Sequence, residues 1–495
     1  MDEKFVIGKN LVKEKKINFA DTVIQRALSY PDKLAMRDGS HDLTYRELSL
    51  KIKQIAAGLR SQKIDTGHHV IIAMDDCVDW PCVWLGCLYA GVIPLSVGIT
   101  IGSELLNQIA DFVECKAIIG DEVIVGKVGN RHRAITQSQM QEFYNFDTDM
   151  SPYDAHPDAP CYMNISSGST GLPKVAVHRH QTLFEIIKLS PELSFGMTHN
   201  STILSTPKMS WVYGLQNSVT YTMGLGATAI VIPGLPSPSK IFDYLHRFEP
   251  EILISSPTVI RKLLVPAAEK YSLPPSVKHV NSSGEYLPRP MYDRFLKRFK
   301  VPLNQVIGMM ETCTNYASNP DFEHDPCTVG KPLPGCKVKI EDGEIYVSSP
   351  ANACYYYKNY EKTRQTFLGE WIRTGDRGYW NELGNLVFDG RVDDVFKVND
   401  LIVNPIDIET QIMLYPFVEH VAVSGVLNQR GIKEVWAFVV AVESFDLTNF
   451  KSYLDQRLYP HQIPKHIHMV TELPETITNK KDRRTLAKNY HAQQL

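Results

Sequence analysis

The sequence of 495 residues lacks an excess of charge of either sign. It has 52 lysines and arginines against 55 aspartates and glutamates, which gives a formal net charge of −3. A protein whose main partner is a nucleic acid usually carries a basic patch and a high isoelectric point. The charge balance therefore argues against a nucleic-acid partner. With 43% hydrophobic and 22% charged residues, the composition is that of a globular enzyme.

Metal-binding cysteine patterns and a secretory signal are also missing. Among the nine cysteines, Cys77, Cys82 and Cys87 recur every five residues, which matches neither Cys-x-x-Cys nor a zinc framework. The first sixteen residues, MDEKFVIGKNLVKEKK, are charged and contain no apolar stretch of the kind found in signal peptides. An odd number of cysteines without such a signal indicates reduced thiols, and we expect a cytoplasmic protein.

The sequence has no uninterrupted membrane span, although one segment is long enough. Residues 83–101, VWLGCLYAGVIPLSVGITI, are nearly free of charge and could cross a bilayer on length alone. Pro94 and the glycines around it break this segment, which predicts a helix, a turn and a strand inside a buried core. We find no internal repeat, no low-complexity tract and no long Gly/Ser linker.

The order of apolar segments predicts the fold class. The length exceeds what one hydrophobic core usually supports, so two domains are expected. Residues 19–62 are predicted to be helical, and short apolar runs then alternate with segments of helix length. This alternation predicts parallel sheets covered by helices. The runs are HHVIIAM (68–74), KAIIG (116–120), STILSTP (201–207), ATAIVIP (227–233), EILISSP (251–257) and VKHVNSSG (277–284).

The pattern changes towards the C-terminus. Residues 337–349, KVKIEDGEIYVSS, alternate around Asp342-Gly343, which is a hairpin signal. The segment after residue 390 has the pattern of a compact α+β unit, with helices near 406–414 and 447–458 and strands at 421–425 and 435–442. We therefore place an N-terminal domain at 1–390 and a C-terminal domain at 391–495.

Residues 164–180, NISSGSTGLPKVAVHRH, contain a glycine-rich polar loop before an apolar strand. Glycines let backbone N–H groups point into one concavity, hydroxyl groups add donors, and Lys174 adds a mobile positive charge. The spacing from Gly168 to Lys174 is not that of a Walker loop. A solvated turn is the alternative, but the position after a strand favours phosphate binding, with Val175–Val177 as the anchoring strand.

Eight motifs together identify a family resemblance. SSGSTGLPK resembles the phosphate loop of the acyl-adenylate-forming superfamily, which includes acyl-CoA synthetases, the adenylation domains of peptide synthetases, and luciferases. The resemblance implies a large N-terminal domain of parallel-sheet subdomains plus a β-barrel-like part, with a small mobile α+β C-terminal domain. The other motifs, in the family's order, are LTYREL (43–48), LYAGVIPL (88–95), SSGEYLP (282–288), IGMMET (307–312), RTGD (373–376), GRVDDVFKVNDLIVNPIDIE (390–409) and LPETITNKKDRRTL (473–486).

The resemblance implies roles for individual residues. Lys480, Glu311 and Lys174 would be catalytic, Glu311 would also help to hold Mg²⁺ on the ATP phosphates, and Asp394 would be the hinge of the C-terminal domain. Taken alone, Asp376 could be a turn cap, Arg391 a surface ion pair and Lys480 part of a solvated basic tail. The residues implied to bind ATP are Ser167, Gly168, Ser169, Thr170, Gly171, Lys174, Ser283, Gly284, Glu285, Ile307, Gly308, Asp376, Arg391 and Lys480.

The implied chemistry has two halves. A carboxylate first attacks the α-phosphorus of ATP and releases pyrophosphate, which requires positive groups that align two anions. A thiol then attacks the mixed anhydride and releases AMP. The leading hypothesis is an acid–thiol ligase with CoA as the acceptor. The alternatives are a stand-alone adenylation enzyme that loads a separate phosphopantetheinyl carrier protein, and a non-catalytic member that binds nucleotide or acyl groups.

The substrate region indicates the class of acid. Residues 207–217, PKMSWVYGLQN, contain no aspartate that could pair with the ammonium group of an α-amino acid, and they resemble benzoate-type CoA ligases. We therefore expect an aryl or small hydrophobic carboxylic acid, although each apolar residue of the region could equally belong to the core. The candidate pocket residues are Trp211, Val212, Tyr213, Gly214, Met309, Met310 and Tyr316.

Four positions depart from the family pattern. Val175, Asp400 and Asn479 stand where the family usually has glycine, and Met310 replaces a residue with a hydroxyl group. Asp400 would lie near the tunnel of the pantetheine arm, so the identity of the thiol is less well supported than the adenylation step. The sequence carries no indication of an oligomeric state.

Overall fold

The computed structural model describes residues 16–129, 131–166, 173–265, 268–319, 328–428, 430–442 and 445–474, together with 482, 483, 485, 486 and 488. Helices and strands alternate through most of residues 19–305. In chain order these elements are α1 (Phe19–Ala27), β1 (Leu34–Arg37), β2 (Asp42–Thr44), α2 (Tyr45–Ser61), β3 (His69–Ala73), α3 (Asp79–Ala90), β4 (Ile93–Ser96), α4 (Ser103–Phe112), β5 (Ala117–Gly120), α5 (Glu122–Val128), β6 (Ala134–Thr136), α6 (Gln137–Gln141), β7 (Pro160–Ile165), β8 (Val175–Arg179), α7 (His180–Leu189), α8 (Pro191–Phe195), β9 (Thr202–Ser205), α9 (Val212–Leu215), α10 (Thr222–Leu225), β10 (Thr228–Val231), α11 (Pro238–Phe248), β11 (Ile252–Ser255), α12 (Pro257–Leu263), β12 (His279–Ser282), α13 (Arg289–Phe299) and β13 (Leu303–Gln305).

Short strands dominate the remainder of the chain. They are followed, beyond residue 404, by two further helices and three more strands. In chain order the elements are β14 (Ile307–Gly308), β15 (Asn315–Ser318), β16 (Lys331–Pro332), β17 (Lys337–Glu341), β18 (Glu344–Ser348), β19 (Tyr355–Tyr356), α14 (Tyr360–Thr366), β20 (Phe367–Leu368), β21 (Trp371–Trp380), β22 (Leu386–Arg391), β23 (Phe396–Val398), β24 (Leu401–Val403), α15 (Pro405–Met413), β25 (Val418–Leu427), β26 (Lys433–Ala441), α16 (Leu447–Asp455) and β27 (His466–Met469).

Two large sheets form the N-terminal part. Within the described residues each has seven strands, in the orders β19-β8-β7-β4-β3-β5-β6 and β13-β12-β11-β9-β10-β1-β2. The strands β4-β3-β5-β6 and β13-β12-β11-β9-β10 pair in parallel, whereas β2, β8 and β19 pair antiparallel at the edges. All six predicted apolar runs contain strands of these sheets. Helices cover the parallel strands, as expected for an α/β fold.

Smaller antiparallel sheets follow, in the region of the expected barrel-like part. The predicted hairpin is confirmed there, because β17 and β18 pair antiparallel around Asp342 and Gly343. Both turn residues have positive φ angles, of 50° and 77°, as this kind of tight turn requires. The last unit, with α15, α16 and the sheet β25-β26-β27, is the predicted α+β unit.

The prediction that residues 19–62 are helical throughout is wrong. Helices α1 and α2 are separated by β1 and β2, which pair antiparallel. Pro31 and the turn residues around Gly39, whose φ is 90°, break the helical pattern between them. Helix α2 begins at a capping box, in which the Glu47 N–H donates to the Thr44 hydroxyl and the Thr44 N–H donates to the Glu47 carboxylate.

The apolar segment at residues 83–101 folds as predicted. Its first part belongs to α3, whose residues are all buried, and β4 continues it as a buried strand. Gly91 ends the helix in the left-handed conformation, with a φ of 74°. In the described part of the chain, no helix has the length and apolarity needed to cross a membrane.

Buried charges join the loops that follow the strands of both large sheets. Lys208, after β9, donates to Asp75 at 2.9 Å and to the Ile232 carbonyl at 2.7 Å, and its ammonium lies 3.7 Å from Asp76. The Asp76 carboxylate also accepts a hydrogen bond from the Met209 N–H. Burial raises the pKa of Asp76 to about 6, against the opposing attraction of Lys208. This cluster therefore fixes the loop that leads into α9.

We expect the difference in free energy of unfolding between the wild type and Asp76→Asn to depend on pH. Near pH 5 the folded wild type retains a proton that an unfolded aspartate, with a pKa near 3.9, has already released. Raising the pH to 8 removes that proton from the folded protein, and the buried charge that results destabilises the folded state. Between these pH values the wild type should therefore lose about 1 kcal/mol in free energy of unfolding relative to the variant. Urea unfolding of both proteins measures this difference, and a pH-independent difference would contradict the prediction.

Candidate active site

A cavity of about 890 Å³ opens where the strands of the second large sheet end. Strands β11, β12 and β13 end at Ser255, Ser282 and Gln305, and the residues that follow each strand line the cavity. The carboxyl ends of parallel strands commonly form ligand sites. The cavity brings together the following residues predicted from the motifs: Lys174, Ser283, Gly284, Glu285, Ile307, Gly308, Met309, Met310, Glu311, Asp376, Arg391 and Asp394.

Hydrogen bonds hold the loop between β12 and α13, which forms one wall. The Ser283 hydroxyl donates to the Val306 carbonyl at 3.0 Å. The Thr258 hydroxyl, at the start of α12, donates to the Glu285 carboxylate at 3.0 Å. Gly284 between them has a φ of 92°, a conformation that favours glycine, and a side chain there would meet no other atom. The glycine is therefore required by the backbone, which leaves a flat surface toward the cavity.

Asp376 and Arg391 face each other across two paired strands. They are register partners on β21 and β22, and the Arg391 guanidinium donates to the Asp376 carboxylate at 2.5 Å. The side chain of Asp376 is only 10% exposed, whereas that of Arg391 is half exposed towards the cavity. The Asp376 charge, the largest influence, raises the pKa of Arg391. This pair places a carboxylate and a guanidinium at one edge of the cavity.

Glu311 is a buried carboxylate held by a tyrosine. It lies in a 3₁₀ turn at Met310–Thr312, and its side chain accepts a hydrogen bond from the hydroxyl of Tyr356. Its carbonyl accepts a further bond from the Ala353 N–H at 2.7 Å. Burial and the Glu311 charge raise the pKa of Tyr356, so the hydroxyl remains a donor at neutral pH. Glu311 is therefore fixed on both sides.

Lys174 lies on the same side of the cavity as Glu311. Its ammonium lies 5.5 Å from the centre of the Tyr356 ring, and its carbonyl accepts from the Ser166 N–H at 3.0 Å. Burial is the main cause that lowers the pKa of Lys174, and the charges of Lys362 and Arg391 lower it further, whereas Glu311 opposes the shift. The cluster of cations around one carboxylate suits an anionic ligand.

Val175–Val177 form part of strand β8, as predicted. Val175 is buried in a hydrophobic cluster that includes Ile165 and Val177. The next residues of interest, His178 and His180, are buried, and burial lowers their pKa values to about 3 and about 4. Both imidazoles are neutral near pH 7, so neither is poised to exchange a proton there.

The predicted hinge residue, Asp394, lies in an ion-pair network. Arg483 donates to Asp394 at 3.0 Å and to both oxygens of Glu409 at 3.1 and 2.9 Å. Burial alone would lower the pKa of Arg483, but the carboxylates of Glu409, Asp394 and Glu285 raise it. Arg483 therefore links the C-terminal segment to Asp394 and Glu409.

Several predicted residues do not line this cavity. Trp211 packs against Gly98, and a Cβ atom on Gly214 would lie only 2.0 Å from the Lys208 carbonyl. Tyr213 has a buried hydroxyl, and Tyr316 is fully buried beside Ile345 in a hydrophobic cluster. The structure thus places these two tyrosines in or against the core. The predicted residues outside the cavity lining are Trp211, Val212, Tyr213, Gly214 and Tyr316.

Some predicted residues lie outside the described part of the chain, so no contacts are assigned to them. They are Ser167, Gly168, Ser169, Thr170, Gly171 and Lys480 in the site, and Asn479 among the departures from the family pattern.

Two of the four departures from the family pattern have an explanation in the local structure. Asp400 is exposed in the turn between β23 and β24, with a φ of 62°, which explains why glycine is customary there. Aspartate tolerates this conformation better than most residues. Met310 lines the cavity and packs on the cluster of Ala176, Ala353 and Tyr356.

Sequence reasoning missed Tyr356, Lys362 and Arg483. Tyr356 is one of three consecutive tyrosines, and the run itself does not indicate which one meets Glu311. Lys362 lies on an ordinary polar helix, and Arg483 in a basic tail, so neither carries a local signal. The contacts of Tyr356 and Arg483 join chain segments 45 or more residues apart.

The geometry agrees with comparisons to known proteins. Residues 23–357 match the family described as AMP-binding enzyme, which is more than half of the chain. Residues 407–480 match the AMP-binding enzyme C-terminal domain. The chain belongs to the AMP-binding enzyme family.

Individual relatives cover nearly the whole chain. A benzoate–CoA ligase of Thauera aromatica is 28% identical over 94% of both chains. A p-hydroxybenzoic acid–AMP ligase of Mycobacterium marinum is 27% identical over 88% of this chain and 64% of that protein. The crystal structure of a benzoate CoA ligase from Burkholderia xenovorans LB400 matches with a TM-score of 0.89 and 28% identity, covering 95% of this chain and 100% of that one. Together these matches confirm the predicted superfamily, fold class and enzyme class, an AMP-forming acid–thiol ligase.

We expect Tyr356→Phe to lower the rate of acid-dependent AMP formation about tenfold, since a hydrogen bond to a charged group contributes roughly 1.5–3 kcal/mol. The variant keeps the ring under Lys174 but leaves the Glu311 carboxylate without this donor. AMP can be quantified by chromatography. Tyr355→Phe, on the more exposed neighbouring residue, is the matched control and should keep the wild-type rate. Equal rates for both variants would contradict a role for this hydrogen bond.

Proposed function

We propose that this protein activates an aryl or small hydrophobic carboxylic acid as an acyl adenylate and transfers the acyl group to CoA. The observation that carries the proposal is one cavity that joins the Asp376–Arg391 pair to Lys174 and Glu311. The Asp376 carboxylate at one edge suits the ribose hydroxyls of ATP. The cations beside Glu311 suit the phosphates. We further propose that the protein is cytoplasmic.

We assign each part of ATP to a part of the cavity. The loop Ser283–Glu285 and the segment Ile307–Gly308 line the cavity, and we assign the adenine ring to them. Asp376 accepts hydrogen bonds from the ribose hydroxyls, and Arg391 reaches the ribose or the α-phosphate. Lys174 then faces the phosphates, and the family resemblance implies that residues 167–171 bind them too. This placement leaves the α-phosphorus between the ribose pair and Lys174.

Adenylation is an in-line displacement on that phosphorus. A carboxylate oxygen of the acid forms a bond to the α-phosphorus, the bond to the bridging oxygen of pyrophosphate breaks, and pyrophosphate leaves with the electron pair. The protein contributes mainly alignment and positive charge. Lys174, and Lys480 from the C-terminal segment, would offset the negative charge on the two anions as they approach.

Glu311 fits a magnesium ion that is held mainly by phosphate oxygens. The described residues contain no group of three histidine, cysteine or acidic side chains that could hold a metal ion by itself. Magnesium bound to nucleotides usually takes one or two carboxylates and keeps phosphate and water oxygens as its other ligands. Glu311 offers one such carboxylate at the cavity wall. When bound, the ion would neutralise phosphate charge.

The second half-reaction requires a different orientation of the C-terminal unit. The CoA thiolate attacks the acyl carbon, the bond to the AMP oxygen breaks, and AMP leaves. We place the domain boundary after residue 390 and the hinge at Asp394. Arg483 binds Asp394 and Glu409 in the orientation described, so rotation about the hinge has to break or carry this ion pair.

The class of acid rests on the relatives and on the substrate region. Two relatives are named as benzoate–CoA ligases, and residues 207–217 contain no acidic residue to pair with an amino acid. Met309 and Met310 line the cavity next to Glu311. Trp211–Gly214 stay candidates for the more distant part of an acyl pocket.

One alternative function is favoured by specific observations. A relative that is named as an acid–AMP ligase is 27% identical, and Asp400 replaces the glycine expected near the pantetheine tunnel. Both fit a stand-alone adenylation enzyme that loads a carrier protein. A non-catalytic member is less well supported, because Lys174, Glu311 and Asp376 are all retained.

We expect acid-dependent pyrophosphate release from ATP, fastest with benzoate or substituted benzoates. Short-chain and medium-chain acids should react at least about tenfold more slowly, the discrimination that pocket fit commonly provides. CoA should be required for continued AMP release. Release with a phosphopantetheinylated carrier protein but not with CoA would support the alternative. ATP binding without pyrophosphate release for any acid in the panel would exclude both enzymatic functions.

Lys480→Ala should slow adenylate formation by a factor of about 100 to 1,000 while changing the Kd for ATP by less than about threefold, because its charge acts mainly on the transition state. Isothermal titration and single-turnover formation of acyl-AMP measure the two quantities. The neighbouring Lys481→Ala is the control and should resemble the wild type. An unchanged adenylation rate in Lys480→Ala would remove Lys480 from this role.

A further inference from the structure

Helix α14 forms a wall of the cavity that none of the recognised motifs includes. Lys362, Gln365 and Thr366 of this helix line the cavity. The side chain of Asn359 caps the helix by accepting from the Lys362 N–H at 3.1 Å. This cap holds the first turn of α14 in place, and the Lys362 side chain extends from that turn.

The same helix is tied to the tyrosine that holds Glu311. The Tyr356 N–H donates to the Thr363 hydroxyl at 3.0 Å, and that hydroxyl donates to the Asn359 carbonyl at 2.7 Å. Tyr356 in turn contacts Glu311 and lies under Lys174. Lys362 thus belongs to the end of the cavity that contains Lys174 and Glu311.

The Lys362 ammonium is a cation without a carboxylate partner within 4 Å in the described ranges. It donates a hydrogen bond to the Gln365 side-chain oxygen at 3.5 Å. It lies close enough to Lys174 to be one of the charges that disfavour protonation there. Two neighbouring ammonium groups repel each other unless an anion lies between them. The arrangement is suited to a ligand that carries several negative charges.

We propose that Lys362 binds the β- and γ-phosphates of ATP and therefore the pyrophosphate that leaves. This inference rests on the proposed function. Asp376 and Arg391 would contact the ribose of ATP. A cation beside Lys174 and Glu311 would therefore lie next to the outer phosphates. As the bond to the α-phosphorus breaks, negative charge grows on the departing pyrophosphate, and a second ammonium stabilises it. The diphosphate of CoA offers the same chemistry, so the experiment has to separate the two.

The test compares Lys362→Ala with Arg364→Ala, a control on the same helix whose side chain does not line the cavity. The Kd values for ATP, AMP and inorganic pyrophosphate are measured by isothermal titration without any acid. We expect the Kd for ATP and for pyrophosphate to rise about tenfold in Lys362→Ala, the loss expected for one charge-assisted contact. The Kd for AMP, which lacks both outer phosphates, should stay within about twofold. Lys362→Arg should restore most of the ATP affinity, because it retains the charge.

Other outcomes would overturn the inference. An equal loss of ATP and AMP affinity would indicate a structural defect rather than a lost phosphate contact. Unchanged ATP affinity with a raised KM for CoA would assign Lys362 to the CoA diphosphate. Because binding is measured without acid, the result does not depend on turnover. A wild type that binds ATP tightly but activates no acid would exclude the proposed function, while the ratio of ATP to AMP affinity would still decide the role of Lys362.

Discussion

The hydrogen bond from Tyr356 to Glu311 is the contact on which the architecture of the site depends. A buried carboxylate is costly unless it is paired, so the segment that carries Glu311 is confined to the neighbourhood of its donor. Tyr356 belongs to β19, which pairs with β8 at the edge of the first large sheet. Its backbone is bound to α14 through Thr363. One hydrogen bond therefore joins the turn at Met310–Thr312, the strand after Lys174 and the helix of Lys362.

The charges around this bond explain why the cavity suits a nucleotide. Lys174 and Lys362 bring two ammonium groups to the carboxylate of Glu311, while Arg391 and Asp376 pair with each other. Asp393 is the weakest of the charges that act on Lys174. The two ammonium groups beside Glu311 suit the anionic end of a ligand whose other end is neutral. Within a partly buried cavity these charges are poorly screened, so each has more influence than on the surface.

The sequence allowed most strands of the two large sheets to be predicted but not the contacts between them. Apolar runs such as residues 116–120 and 251–257 are local signals, and both became buried strands. The region 19–62 was misread because its strands are only four and three residues long, too short to interrupt a helical pattern clearly. The resemblance implied the roles of Asp376 and Glu311, and for this reason their presence in one site could be predicted. Tyr356 and Lys362 escaped notice because their importance comes from neighbours that are distant in the chain.

The departures from the family pattern are best understood through local structure. Val175 is buried among Ile165 and Val177, so its side chain adds to the hydrophobic core and does not line the cavity. Asp400 occupies a turn with positive φ, which costs aspartate less than most residues, and its carboxylate is exposed to solvent. Met310 replaces a hydroxyl with an apolar contact on Tyr356, which reinforces the wall that holds Glu311. These three substitutions therefore preserve the positions of the charged groups, and the charged groups are what phosphoryl transfer requires.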